Sequence, residues 1–137
     1  MRVFFDSSAF AKRYIAEAGS AAVLQCCDDA DELALAVIAV PELVSAFCRL
    51  HREGKLTAAQ YQQTKADLLA DIADVLICDL TPAAIGHAVR ALEQHVLRGM
   101  DAMHIGAALH SQADLFVTAD QRQAQAASAM GLQVRLL

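Results

Sequence analysis

Four acidic residues stand where apolar runs give way to helical patterns: Asp6 after residues 2–5, Glu42 beside Pro41, Asp101 after Gly99, and Asp120 after residues 115–117. Gathered in one place, such carboxylates repel one another strongly at reduced dielectric unless cations neutralise them. A donor set made only of oxygens suits Mg²⁺ or Mn²⁺ better than zinc. Each acid also has an ordinary explanation taken singly. Asp101 and Asp120 can be helix N-caps, and Glu42 can be a first-turn residue favoured by the helix dipole. Asp6 is harder to explain that way, because an acid directly after Arg-Val-Phe-Phe is poor strand material and reads as a site residue. The joint pattern is more specific than any one member.

Basic residues accompany each acid: Lys12 and Arg13 follow Asp6, Arg49 and Arg52 follow Glu42, Arg98 precedes Asp101, and Arg122 follows Asp120. Glu42 and Arg49 are two helical turns apart, about 10 Å along one face, a span comparable to one or two nucleotides. The plainer reading of these bases is solvated helix surface. Eleven basic against sixteen acidic residues give a net charge of −5, which argues against phosphate binding through a broad basic surface. Two divalent ions at the acids would offset most of that charge. His104 and His110 fall on different faces of a helix and cannot share an ion, so all five histidines read as structural, surface or rim residues. The four cysteines form no C-x-x-C pair and read as buried free thiols. Aromatic residues total 5% with no Trp, which leaves little for base stacking.

These side chains need a scaffold, and 137 residues supply one domain, residues 1–137, with a proper core. A chain 56% hydrophobic and 20% charged, with six Gly and two Pro, excludes a disordered tail or a collagen-like repeat. No stretch free of Asp, Glu, Lys and Arg is longer than 102–113, which falls short of the roughly 20 apolar residues of a membrane span. Asp6 interrupts any signal-peptide core, so the cytoplasm is the expected location and no membrane association is expected. Strands are expected at 2–5, 33–40, 75–78, 115–117 and 132–136. Helices are expected at 9–18 and 20–28, from Pro41 to about Arg52, at 58–73 behind a Thr57 cap, from Pro82 to 97, and at 101–111 and 120–130. Continuously apolar strands alternating with helices imply a three-layer α/β/α fold around a parallel sheet of four to five strands. All four acids then point to one end of that sheet, where open parallel sheets bind ligands.

The segments FFDSSAFAKRY (4–14), VPELVSAF (40–47), RGMDAMHIGAAL (98–109) and FVTADQRQAQAA (116–127) together resemble the PIN-domain ribonucleases, in particular the VapC toxins of bacterial toxin–antitoxin pairs. The resemblance implies an α/β/α PIN-like domain, Mg²⁺- or Mn²⁺-dependent cleavage of RNA, a homodimer, and inhibition by a cognate antitoxin. By motif it assigns the catalytic acids to Asp6, Glu42, Asp101 and Asp120. On that reading Asp6 and Asp101 bind metal directly, and Glu42 and Asp120 bind it directly or through water. Thr118 and Ser7 orient those waters, and Lys12, Arg13 and Arg49 hold the RNA backbone. Ala119 departs from the pattern, since a number of relatives carry a polar residue there. Two rivals remain. A haloacid-dehalogenase-like phosphatase would use Asp6 as a nucleophile, but that pattern wants an acid where this chain has Ser8. A catalytically silent PIN-like interaction module would use the acids only as caps.

Overall fold

The computed structural model describes all 137 residues. Strands β1 (Arg2–Phe5), β2 (Glu32–Ala36), β3 (Leu76–Cys78), β4 (Leu115–Thr118) and β5 (Val134–Leu136) form one sheet in the order β3-β2-β1-β4-β5. Every pairing is parallel. The chain winds outward from β1 through β2 to β3, then returns to place β4 and β5 on the other side. Strand order therefore reverses between β1 and β4, where such sheets open a crevice at their carboxyl ends.

The helices are α1 (Ser7–Phe10), α2 (Ser20–Asp29), α3 (Ala39–Arg52), α4 (Ala58–Ile72), α5 (Pro82–Gln94), α6 (Gly99–His110) and α7 (Gln121–Ala129). Alternate strand residues point to opposite faces, which sorts the core into two layers. Val3, Phe5, Leu35 and Val117 pack with Phe10, Val23, Leu43, Phe47 and Leu68 from α1 to α4. Phe4, Ala34, Ala36 and Phe116 pack with Ile105, Ala108, Ala126 and Ala127 from α6 and α7. Val3, Phe4 and Phe5 are all fully buried, so β1 is covered on both faces. Helices α5 and α6 pack backbone to backbone through Ala84, Ala88, Ala91, Ala102 and Gly106.

The architecture expected from the sequence is the one observed, with differences at element ends. The helix expected at 9–18 stops early: α1 tightens into a 3-10 turn at Ala11–Arg13. Tertiary bonds decide this, because Arg13 Nε and Tyr14 Oη both donate to Asp71 Oδ2 on α4, at 2.9 and 2.6 Å. β2 ends at Ala36 and α3 begins at Ala39, so Pro41 lies inside the first turn, where its missing N–H leaves no helical bond unmade. Thr57 caps α4 as expected, with Gln60 completing a reciprocal capping box. α5 ends at Gln94, short of residue 97, and β5 spans only Val134–Leu136. All four cysteines are free, but only Cys26 is buried.

Candidate active site

Asp6 follows directly on β1 and continues its ladder, its N–H donating to the carbonyl oxygen of Val117 at 3.1 Å. Its carboxylate caps α1 by accepting from Ala9 N–H at 2.9 Å. It also accepts from Ser8 Oγ at 2.8 Å, Thr118 Oγ1 at 2.6 Å and Gln123 Nε2 at 2.8 Å. At 1% exposure it is a buried acid, and burial pushes its pKa up while bonds from Thr118, Ala9 and Ser8 pull back.

Asp120 caps α7, its Oδ1 accepting from Arg122 N–H at 2.8 Å and Gln123 N–H at 3.3 Å. Thr118 Oγ1 ties the two acids together, accepting from Asp120 N–H at 3.0 Å while donating to Asp6. Asp101 sits in the first turn of α6, where the helix dipole favours an anion, but it is not the cap: Arg98 holds that position. The Gln123 amide reaches Asp101 Oδ1 at 3.3 Å, so one NH₂ group stands between the carboxylates of Asp6 and Asp101. Burial raises the Asp101 pKa, and the negative charges of Asp120 and Asp6 raise it further.

Glu42 lies in the first turn of α3 and faces a different set of partners. Its Oε1 accepts from Ser7 Oγ at 2.8 Å and lies 2.6 Å from His104 Nε2. Burial pushes Glu42 up, but the bonds from His104 and Ser7 and the charge of His104 outweigh it and leave the carboxyl below its ordinary range. The expected cluster of four is thus drawn from the expected segments but is subdivided. Asp6, Asp101 and Asp120 surround Gln123 and Thr118, whereas Glu42 turns to Ser7 and His104. As the side chains stand, no three His, Cys, Asp or Glu residues are close enough to hold one metal ion. The donor set still fits a hard divalent cation, since Asp6, Asp101 and Asp120 offer carboxylate oxygens from three separate segments and the Gln123 Oε1 beside them is buried without a partner.

Two depressions flank the buried Asp6. One, of about 620 Å³, is lined by Asp101 and Asp120 together with Arg98 and Arg122. The other, of about 350 Å³, is lined by Ser7, Glu42, Lys12, Arg49 and Ala119. Each pairs acids with two bases. Lys12 is bonded to Glu17 at 3.1 Å, and Arg49 stands mostly exposed, 4.0 Å from Glu53. Arg13, expected beside them, lines another depression with Tyr14, Leu24 and Asp67, and its guanidinium is held by Asp71. The structure does not bring it to the acids.

Three further residues stand at the site that the sequence does not mark as functional. Ser8 bonds Asp6 and accepts from Ala119 N–H at 3.2 Å, so Ala119 contributes through its backbone. His104, which the sequence places among structural, surface or rim residues, is 2% exposed and bonded to Glu42. Its spacing of three from Asp101 signals a shared helix face. Gln123 is 3% exposed and stands three residues after the Asp120 cap, where a glutamine ordinarily bonds back to the cap N–H. Thr118 already occupies that N–H, and the Gln123 side chain turns to Asp6 and Asp101 instead.

The family model of the PIN domain matches residues 3–129. Ribonuclease VapC45 of Mycobacterium tuberculosis is 32% identical over 107 residues, covering 78% of this chain and 74% of that protein. Among solved structures, the sarcin-ricin loop cleaving toxin VapC20 of Mycobacterium tuberculosis superposes with a TM-score of 0.67 at 16% identity, covering 95% of each chain. A chain of a toxin-antitoxin complex from Klebsiella pneumoniae gives 0.67 at 12% identity, covering 88% of each. These two show the shared fold, and the first shows kinship in sequence. The chain belongs to the PIN-domain family, in its group of VapC ribonucleases.

Proposed function

We propose that this chain is a divalent-metal-dependent endoribonuclease and the toxin of a toxin–antitoxin pair. The observation that carries the reading is the meeting of Asp6, Asp101 and Asp120 around Gln123 at the point where strand order reverses, with Arg98 and Arg122 alongside. Asp6 and Asp101 would hold Mg²⁺ or Mn²⁺ directly, and Asp120 and Glu42 directly or through water. An ion held by these carboxylates would supply a water of lowered pKa and would offset charge on the leaving oxygen. The chain's own residues do the positioning. Thr118 and Ser8 fix the Asp6 carboxylate, and Ser7 and His104 fix Glu42. Lys12 and Arg49 on one side and Arg98 and Arg122 on the other offer cations to the phosphates flanking the scissile bond. No side-chain nucleophile is required. A phosphatase that attacks through Asp6 wants a second acid two residues on, where this chain has Ser8.

The partners follow from the same reading: RNA as substrate, a cognate antitoxin as inhibitor, and a second copy of the chain. Ile85, Val89 and Leu92 form an exposed apolar stripe along α5, which supports self-association. No helix is long and apolar enough to cross a membrane, and the cytoplasm is the proposed location. The test is incubation of the purified protein with structured RNAs in Mg²⁺, Mn²⁺ or chelator. Defined fragments that appear only with the ion support the proposal. Intact RNA in both ions contradicts it and favours a catalytically silent interaction module.

A further inference from the structure

Gln123 is a buried side chain with an unusual division of labour. Its Nε2 donates to Asp6 Oδ2 at 2.8 Å and to Asp101 Oδ1 at 3.3 Å, whereas its Oε1 is buried with no partner at all. Buried amide oxygens are rarely left unpaired, because burial strips them of water. Nothing in the fold anchors the oxygen end, so the two carboxylates alone hold the amide. The NH₂ group carries partial positive charge and occupies the space between two acids that repel each other. The bond back to Asp120 N–H that a glutamine at this position ordinarily makes has been taken by Thr118, so the amide is free to turn to the two acids.

We propose that Gln123 is a placeholder for the cation: its amide screens Asp6 from Asp101 when no ion is bound, and ion binding displaces it from between them. The inference rests on the metal-dependent reading of the site and adds to it a residue that sets ion affinity. A competitor inside the site weakens apparent binding of the ion and in exchange stabilises the ion-free fold. A neutral, apolar replacement of similar length removes the competitor, and a permanent cation strengthens it.

The experiment compares Mn²⁺ binding by calorimetry, and melting in chelator, for the native chain, Gln123→Met and Gln123→Lys. Gln123→Met is expected to bind Mn²⁺ several-fold more tightly than the native chain and to melt lower in chelator. Gln123→Lys is expected to bind at least about tenfold more weakly and to melt higher. Equal or weaker binding by Gln123→Met overturns the proposal while leaving the metal site intact. No Mn²⁺ binding by the native chain overturns the metal site and this inference together. Should either variant fail to fold, nuclear magnetic resonance of the native chain decides. The Gln123 side-chain NH₂ signals are expected to be protected from exchange in chelator, and to shift and lose protection on adding Mg²⁺. Signals that keep their position and protection at saturating Mg²⁺ overturn the proposal.

Discussion

His104 Nε2 stands 2.6 Å from Glu42 Oε1, a bond between α6 and α3 that fixes the one acid not gathered around Gln123. Ser7 Oγ donates to the same oxygen at 2.8 Å, so the other oxygen of Glu42 carries none of these bonds and is left for a ligand. His104→Leu removes the donor and frees the carboxylate to move, and misplacement on that scale costs on the order of 10–100-fold in kcat. His104→Gln puts an amide nitrogen within reach of the same oxygen and is expected to restore most of the loss. Equal defects in the two variants, measured on the same RNA, would mean that the histidine merely fills space.

Glu42 and Asp101 should change stability with pH in opposite directions. The Glu42 pKa is lowered in the fold, so its contribution is present above the unfolded value and lost as pH falls through the folded one. The Asp101 pKa is raised, so its contribution is fully present below the unfolded value and lost as pH rises through the folded one. In chelator at neutral pH, Glu42→Gln is therefore expected to lower the melting temperature and Asp101→Asn to raise it, each by about 2–4 °C. Calorimetric scans of the two variants between acid and neutral pH give the signs directly.

Gly106 is where α6 meets the backbone of α5. A Cβ there would clash with the carbonyl oxygen of Ala84 and come within 3.1 Å of Ala88 N and 3.2 Å of Ala88 Cβ. Because backbone cannot step aside as a flexible side chain can, Gly106→Ala is expected to cost about 1–3 kcal/mol in urea denaturation. An unchanged midpoint would show that the two helices separate easily.

Arg13 and Arg49 were both expected to hold RNA, and the structure separates them. Arg13 joins Tyr14 on Asp71, whose carboxyl is lowered by those two donors against the opposing effect of burial. Asp71→Asn weakens that knot and is expected to lose about 1–2 kcal/mol of stability with cleavage unchanged. Arg49→Ala is expected to raise KM severalfold with stability unchanged, since the side chain is 63% exposed and packs little. Parallel denaturation and kinetics on both variants test the separation.

How much of this could be read from the chain depended on whether the signal was local. Asp6, Glu42, Asp101 and Asp120 were legible because each follows an apolar strand or opens a helix, and a parallel sheet sends such positions to one edge. That β1 is covered on both faces was legible in its continuously apolar run, since a strand with one face in water would carry polar residues at alternate positions. The early end of α1 was not, because the Phe10 and Tyr14 spacing fits a helix while the bonds that end it come from Asp71, far along the chain. His104 sits in an apolar helix and Gln123 in a polar one, so their surroundings in sequence suggest core and surface. Only tertiary structure brings Glu42 to the first, and Asp6 and Asp101 to the second.

Cleavage of a structured RNA in Mn²⁺ by the native chain and by Asp6→Asn, with matching circular dichroism, tests most directly whether acids from separate segments act as one hydrolytic site. Asparagine can still cap α1 but offers the ion no charge, so the native chain is expected to cut and the variant to leave the RNA intact. Cutting by Asp6→Asn at the native rate would contradict the account.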